Sequence, residues 1–189
     1  MDLAMHCSAS LDAPLERDAV EAALPALAPL FEFDGSRDRA GLFVVSSNAG
    51  SATALRFWAD AVRTGVALAS PELFPWCLAN APCGALARRF GMTGPNFTSL
   101  GEADALLGAL QAADDEFAAS RIDVAVIVAM EFADAAHARA DVLGLRLVRQ
   151  GGAHSLRLEA ETIVPAGQSL RSAMKTLALS LRELSPGPR

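Results

Sequence analysis

Apolar residues along this chain fall into short solid runs separated by stretches of helical spacing. The two densest runs are Gly41 to Ser46, GLFVVS, and Val124 to Met130, VAVIVAM. Continuous apolar runs of that length predict strands buried on both faces. Leu3 to Ser8 predicts a first strand. Ala13 to Phe31 carries Val20, Ala23, Leu24, Leu27 and Leu30 at helical spacing, with Pro25 and Pro29 kinking or ending that helix. Ser47-Asn48-Ala49-Gly50 reads as a turn, and Leu55, Trp58 and Val62 beyond it share one helical face. Ser70 to Leu78, SPELFPWCL, predicts an ordered loop packed onto the body. Pro82 suits the first turn of a helix through ALARRF, and Gly91 suits its C-terminal cap.

The second half continues the alternation. Asn96 to Leu100 predicts a short strand and Glu102 to Ala118 a helix. Gly144 to Gln150 and Ser155 to Thr162 flank Gly151-Gly152 and predict a hairpin. Ser169 to Leu184 predicts a last helix with Leu170, Met174, Leu177, Leu181 and Leu184 on one stripe, before a fraying tail, SPGPR. The pattern predicts one α/β domain over residues 1–189. The helix from Glu102 is unusual. Between Ala103 and Ala113 only Asp104 and Gln111 are polar, so it needs cover beyond the single sheet it packs on. Further helices of this chain or another chain must supply that cover.

Composition narrows the function. Hydrophobic residues make up 52% and charged residues 20%, as in a globular protein. A net charge of -6, with no basic stripe interleaved with aromatics, argues against nucleic acid. No apolar run is long enough to insert in a membrane, and MDLAMHCSAS lacks the basic and apolar regions of a signal peptide. The odd cysteine count, Cys7, Cys77 and Cys83, has no metal spacing and fits a reducing cytoplasm.

The candidate chemistry is sparse. His6, His137 and His154 lie in different elements and do not converge as metal ligands must, so neither metal nor cofactor is expected. Cys77 and Cys83 have no histidine nearby to activate a thiol and are expected to be small buried apolar groups. Glu102 and Asp104 stand two apart at a helix start; capping the helix and serving its dipole is the first reading, acid–base work the second. Asp114-Asp115-Glu116 reads as a solvated acidic face. SSNAGS, Ser46 to Ser51, lacks a phosphate-loop signature and reads as an ordinary strand-to-helix turn.

Three segments in order carry a family resemblance: Ser70-Pro71 with Phe74-Pro75; Asn80-Ala81-Pro82 through Leu86-Ala87-Arg88-Arg89-Phe90-Gly91; and Gly94-Pro95-Asn96 with Thr98. Together with Arg121 to Ile127, they make residues 41–131 resemble the N-terminal half of beta-ketoacyl synthases, above all the chain-length-factor-like relatives and the short ketosynthase-like N-terminal-domain proteins. The resemblance implies a thiolase-like half-fold, a mixed sheet of about five strands flanked by helices. The family's active cysteine stands nine residues after the glycine of its Gly-Pro pair, and counting from Gly94 lands on Ala103. An alanine methyl cannot form an acyl thioester. The family's two catalytic histidines belong to a C-terminal half beyond these residues.

The resemblance therefore implies a non-catalytic, chain-length-factor-like subunit. It would stabilise a catalytic ketosynthase in a heterodimer and help shape its acyl tunnel, in polyketide or fatty-acid-like synthesis such as aryl polyene formation. In the family the strand before the nucleophile pairs across the dimer axis. The interface expected here is Asn96, Phe97, Thr98, Ser99, Leu100, Gly101, Glu102, Ala103 and Asp104. Phe97 and Leu100 are candidates for tunnel lining or for core. Arg88 and Arg89 are candidates for binding an acyl carrier protein, or are a solvated pair. The alternatives are a stand-alone malonyl-thioester decarboxylase using Glu102 or Asp104, and a binding module for acyl chains or carrier protein. A homodimer through the same strand is also open.

Overall fold

The computed structural model describes residues 2–132, 139–148 and 168–184. Five strands form one mixed sheet in the order β1-β5-β4-β2-β3: β1 Asp2–Asp12, β2 Ala40–Ser46, β3 Asn96–Leu100, β4 Val124–Glu131 and β5 Arg139–Val148. β3 and β4 each pair parallel with β2, while β5 lies antiparallel between β4 and β1. Among the described residues five α-helices flank the sheet: α1 Glu16–Leu27, α2 Ser51–Thr64, α3 Ala81–Phe90, α4 Ala103–Ala118 and α5 Leu170–Leu184. The expected α/β sheet of about five strands is present. The second arm of the expected hairpin lies outside the described residues. Its first arm begins earlier than the sequence indicates, because β5 starts at Arg139 to pair with the long β1.

The solid apolar runs are central strands with both faces covered. β2 and β4 are buried along their whole length. Their alternate side chains feed two cores. Phe43, Val45, Ile127 and Ala129 face α4 and α5. Leu42, Val44, Val126 and Val128 face α1 and α3. α5 supplies the cover that α4 required, burying Leu170, Ala173, Met174 and Leu177 in the same cluster as Leu106 and Leu110. Pro25 sits inside α1, and a tight 3-10 turn over Ala28–Phe31 follows the helix. Pro82 opens α3, and Gly91 closes it in the left-handed conformation at φ 65°.

α2 departs from the rule that an apolar stripe faces the core. Its buried residues are Thr53 and Ala61, while Leu55, Trp58 and Val62 face solvent, Trp58 at 65% exposure. The helix is anchored by its start. The buried Glu16 carboxylate accepts the Ala52 and Thr53 N–H groups at 2.9 and 3.0 Å, and the Thr53 hydroxyl donates to it as well. Gly50, just before α2, has φ 85°, and a Cβ there would stand 2.6 Å from the Cys77 carbonyl oxygen. Gly50→Ala should therefore lower stability by about 1–3 kcal/mol. A melting temperature equal to that of the parent chain would refute this account of the turn.

Candidate functional site

The carboxyl ends of β2, β3 and β4 lie on one rim of the sheet, where parallel α/β sheets present ligand-binding groups. The turn after β3 runs through Gly101, which at φ 154° admits a chain reversal that a side chain would resist. Ala103 opens α4 directly after it. Its methyl is 1% exposed, and its N–H donates to the Gln168 carbonyl at 3.3 Å. The stretch before α5 thus lies over the turn. Ala103 contributes to the core and cannot itself present a side chain to a partner.

Glu102 is a cap, but for a different helix from the expected one. It makes no side-chain bond to α4; its carboxylate instead accepts the Leu170 N–H at 2.8 Å and caps α5. Asp104 is exposed in the first turn of α4, where a negative charge suits the dipole. The two acids border one cavity with Gln168 and Ser169. The acidic run also differs from expectation: Glu116 is buried, and its carboxylate takes a two-point bond from Arg121 at 2.6 and 2.8 Å. That bond holds the Glu116 carboxyl below its ordinary value.

A group not singled out in the sequence sits on the same rim. Glu131 ends β4, is buried, and accepts the Ser47 hydroxyl at 2.6 Å. Asn48 ties the same turn to the Phe132 backbone in both directions, at 3.0 and 3.1 Å. SSNAGS is thus a turn clamped to β4, as expected of an ordinary connection. Burial pushes the Glu131 carboxyl above its ordinary value; Ser47 opposes this, Glu102 adds to it, Arg171 opposes it and Asp141 adds to it. The unfolded carboxyl titrates near pH ~4.3. Its folded value is higher, so its share of stability is full below that pH and is lost as pH rises through the folded value. Glu131→Gln keeps an oxygen for Ser47 and removes the charge. Its melting temperature relative to the parent chain should rise steadily with pH across that window; a gap independent of pH would refute the assignment.

β3 is an edge strand. One side pairs with β2, and among the described residues nothing pairs with the other. Asn96 is exposed and Thr98 and Ser99 are half-buried. Phe97 is 47% exposed and stacks on Phe43 with ring centroids 5.6 Å apart. Leu100 is 57% exposed. Both are therefore surface side chains in this chain, and core is not their role. More apolar surface surrounds the stretch between α2 and α3: Val66, Leu68, Phe74 and Leu78 are exposed alongside the α2 stripe. The loop at Ser70 to Leu78 packs as expected through Trp76, but turns Phe74 and Leu78 outward.

Arg88 and Arg89 lie exposed in the last turn of α3. α3 leads through Gly91 to the start of β3, and the Ala103 turn follows its end. The first and last residues of β3 stand about 13 Å apart, and no described contact joins either arginine to the turn. Cys83 is buried and Cys77 and Cys7 are half-buried; burial raises all three thiols above their ordinary value, the opposite of a nucleophile's need. His6 lies on β1; His137 and His154 are outside the described residues. Among the described residues no cluster fits a metal ion, and no helix is long and apolar enough to cross a membrane.

No family profile and no curated protein matches this chain. Solved structures do match in fold. "The ishigamide ketosynthase/chain length factor" matches with a TM-score of 0.54 at 20% identity, over 64% of this chain and 38% of that one. A ketosynthase in complex with its chain length factor from Xenorhabdus doucetiae matches with 0.55 at 13% identity, over 80% of this chain and 79% of that one. A type II PKS acyl-carrier protein in complex with its ketosynthase bound to the hexaketide matches with 0.51 at 15% identity, over 67% and 44%. The chain thus spans less than half the length of the first and last of these. At these identities the likeness is one of fold: the chain shares the α/β fold of these ketosynthase and chain-length-factor structures.

Proposed function

We propose that this chain is a non-catalytic, chain-length-factor-like subunit that pairs with a catalytic ketosynthase through β3. The observation that carries this reading is the outer edge of β3, which no described residue pairs, with Phe97 and Leu100 exposed on it. An unpaired edge bearing apolar side chains is a template for another chain. The exposed stripe of α2 and the Phe74 and Leu78 side chains add apolar surface for the same partner. A fold alone does not assign a function. Here it agrees with the surface, because the matching structures include ketosynthases held with chain length factors.

The absence of condensing chemistry belongs to this proposal. By resemblance Ala103 stands where the family has its cysteine, and in this chain its methyl is buried. The decarboxylase alternative loses support because Glu102 already caps α5. The partner's acyl tunnel would gain a wall from the Phe97 side of β3. The pathway would be polyketide or fatty-acid-like, aryl polyene synthesis being one such route. Arg88 and Arg89 are the residues proposed to meet an acyl carrier protein. The test is co-expression with each catalytic ketosynthase of the same genome. A 1:1 complex on size exclusion supports the reading; separate elution of two folded proteins refutes it.

A further inference from the structure

The edge of the sheet opposite β3 carries a different feature. β1 alternates its side chains between the two faces. Its register sets Ser8 against Leu143 and Ser10 against Asp141. Leu143 belongs to the core on the α5 side, so Ser8 and Ser10 turn toward α5, whereas Cys7 and Leu11 pack toward α1. α5 crosses this side of the sheet with Met174 and Ala178 turned in and Leu179 left exposed. Between strand and helix lies a cleft of about 350 Å³. Leu143, Met174, Ala178 and Leu179 give it apolar walls, and Ser8, Ser10, Asp141 and Lys175 supply its polar groups.

The polar groups are unequal. The Asp141 carboxylate is held by Arg171 at 2.9 Å and by the Ser10 hydroxyl, which in turn accepts from Arg139 at 2.9 Å, so these groups are already committed to one another. Lys175 is the chain's only lysine. It is exposed and has no ion pair or hydrogen bond among the described residues. An uncommitted ammonium beside an apolar cleft of small-molecule size is a recognition arrangement: few polar groups orient a ligand whose bulk is apolar. A single cation balances a single negative charge. A phosphate monoester would bring nearly two charges beside Asp141.

We propose that the cleft between β1 and α5 binds a small organic carboxylate with an aliphatic tail, the carboxylate on Lys175 and the tail against Leu143, Met174 and Ala178. The site is at the far edge of the sheet from β3, so it stands or falls independently of the partner interface. The experiment is calorimetric titration of octanoate into the full chain, with acetate and octanol as controls. The expected result is one saturable octanoate site. Both controls should bind about tenfold weaker or worse, since each lacks one half of the recognition. Lys175→Ala should weaken octanoate by about tenfold and Lys175→Arg should restore most of it. Ala178→Leu, which fills the cleft, should remove binding; Ser8→Leu narrows it from the strand side should Ala178→Leu fail to fold. The proposal is overturned if the folded parent chain shows no saturable binding, if octanol binds as well as octanoate, or if binding is unchanged in Lys175→Ala or in the folded cleft-filling variant.

Discussion

Phe97→Asp combined with Leu100→Asp is expected to abolish co-elution with the ketosynthase while leaving this chain folded. The two side chains lie three apart on one strand and so face opposite sides of the sheet. Phe97 pairs in register with Phe43 on the α4 side, and Leu100 pairs with Ser46 on the α3 side. A partner strand at this edge would cover both. Burying a carboxylate in place of an apolar anchor at the centre of an interface loses more than the anchor's own contribution. Each replacement should weaken association by about 30-fold or more, on the scale of ~2 kcal/mol for one interface anchor. Phe97 also stacks on Phe43, so its replacement carries some loss of stability within the chain. Leu100→Asp alone separates the effects, because it leaves that stack intact. Complex formation by the folded double variant at the parent's affinity would refute the β3 interface.

Glu16→Ala is expected to give the largest loss of stability within the chain, about 2–4 kcal/mol, because three charge-assisted bonds are lost from one buried group. The Glu16 carboxylate is fully buried and accepts from the Ala52 and Thr53 backbones and the Thr53 hydroxyl. Alanine leaves two helix-start N–H groups without their partner and opens a gap beneath α2. Gln keeps one oxygen acceptor but turns an amide toward the second set of donors, so Glu16→Gln should recover only part of the loss. Denaturant unfolding of the three proteins measures this. Equal midpoints for the parent chain and Glu16→Ala would show that α2 is held by something else. If α2 presents part of the interface, Glu16→Ala should also weaken the complex.

Most of the framework was legible in the residues. The apolar runs of β2 and β4, the proline and glycine limits of α3, the bounds of β3 and the need of α4 for cover all follow from periodicity and local backbone chemistry, whereas that α5 supplies the cover does not. These are properties of neighbours in sequence, and short-range sterics and alternation encode them directly. The turn at Ala103 was placed correctly, but its surroundings were not. Glu102 satisfies a helix 68 residues away, and Glu16 satisfies one 36 and 37 residues away. No local pattern distinguishes such a carboxylate from one that caps its own helix. Glu131 carried no signal at all, since a lone acid after an apolar strand acquires meaning only when Ser47, Glu102 and Arg171 converge on it.

The sequence by itself determined where most strands and helices lie, that the solid apolar runs of β2 and β4 must be buried, and that the residue opening α4 is an alanine without nucleophilic chemistry. Tertiary structure decided where the apolar surplus ends up. Hydrophobic periodicity says that Leu55, Trp58 and Val62 share a face, but not whether that face turns inward. Here Glu16 and Gly50 seat α2 on Thr53 and Ala61, leaving the stripe outward. It also decided that Phe97 and Leu100 lie on an outer strand, because strand order arises from pairings between segments far apart in the chain. An edge is a property of the whole sheet, and only the assembled sheet shows which strand was left with one side unpaired.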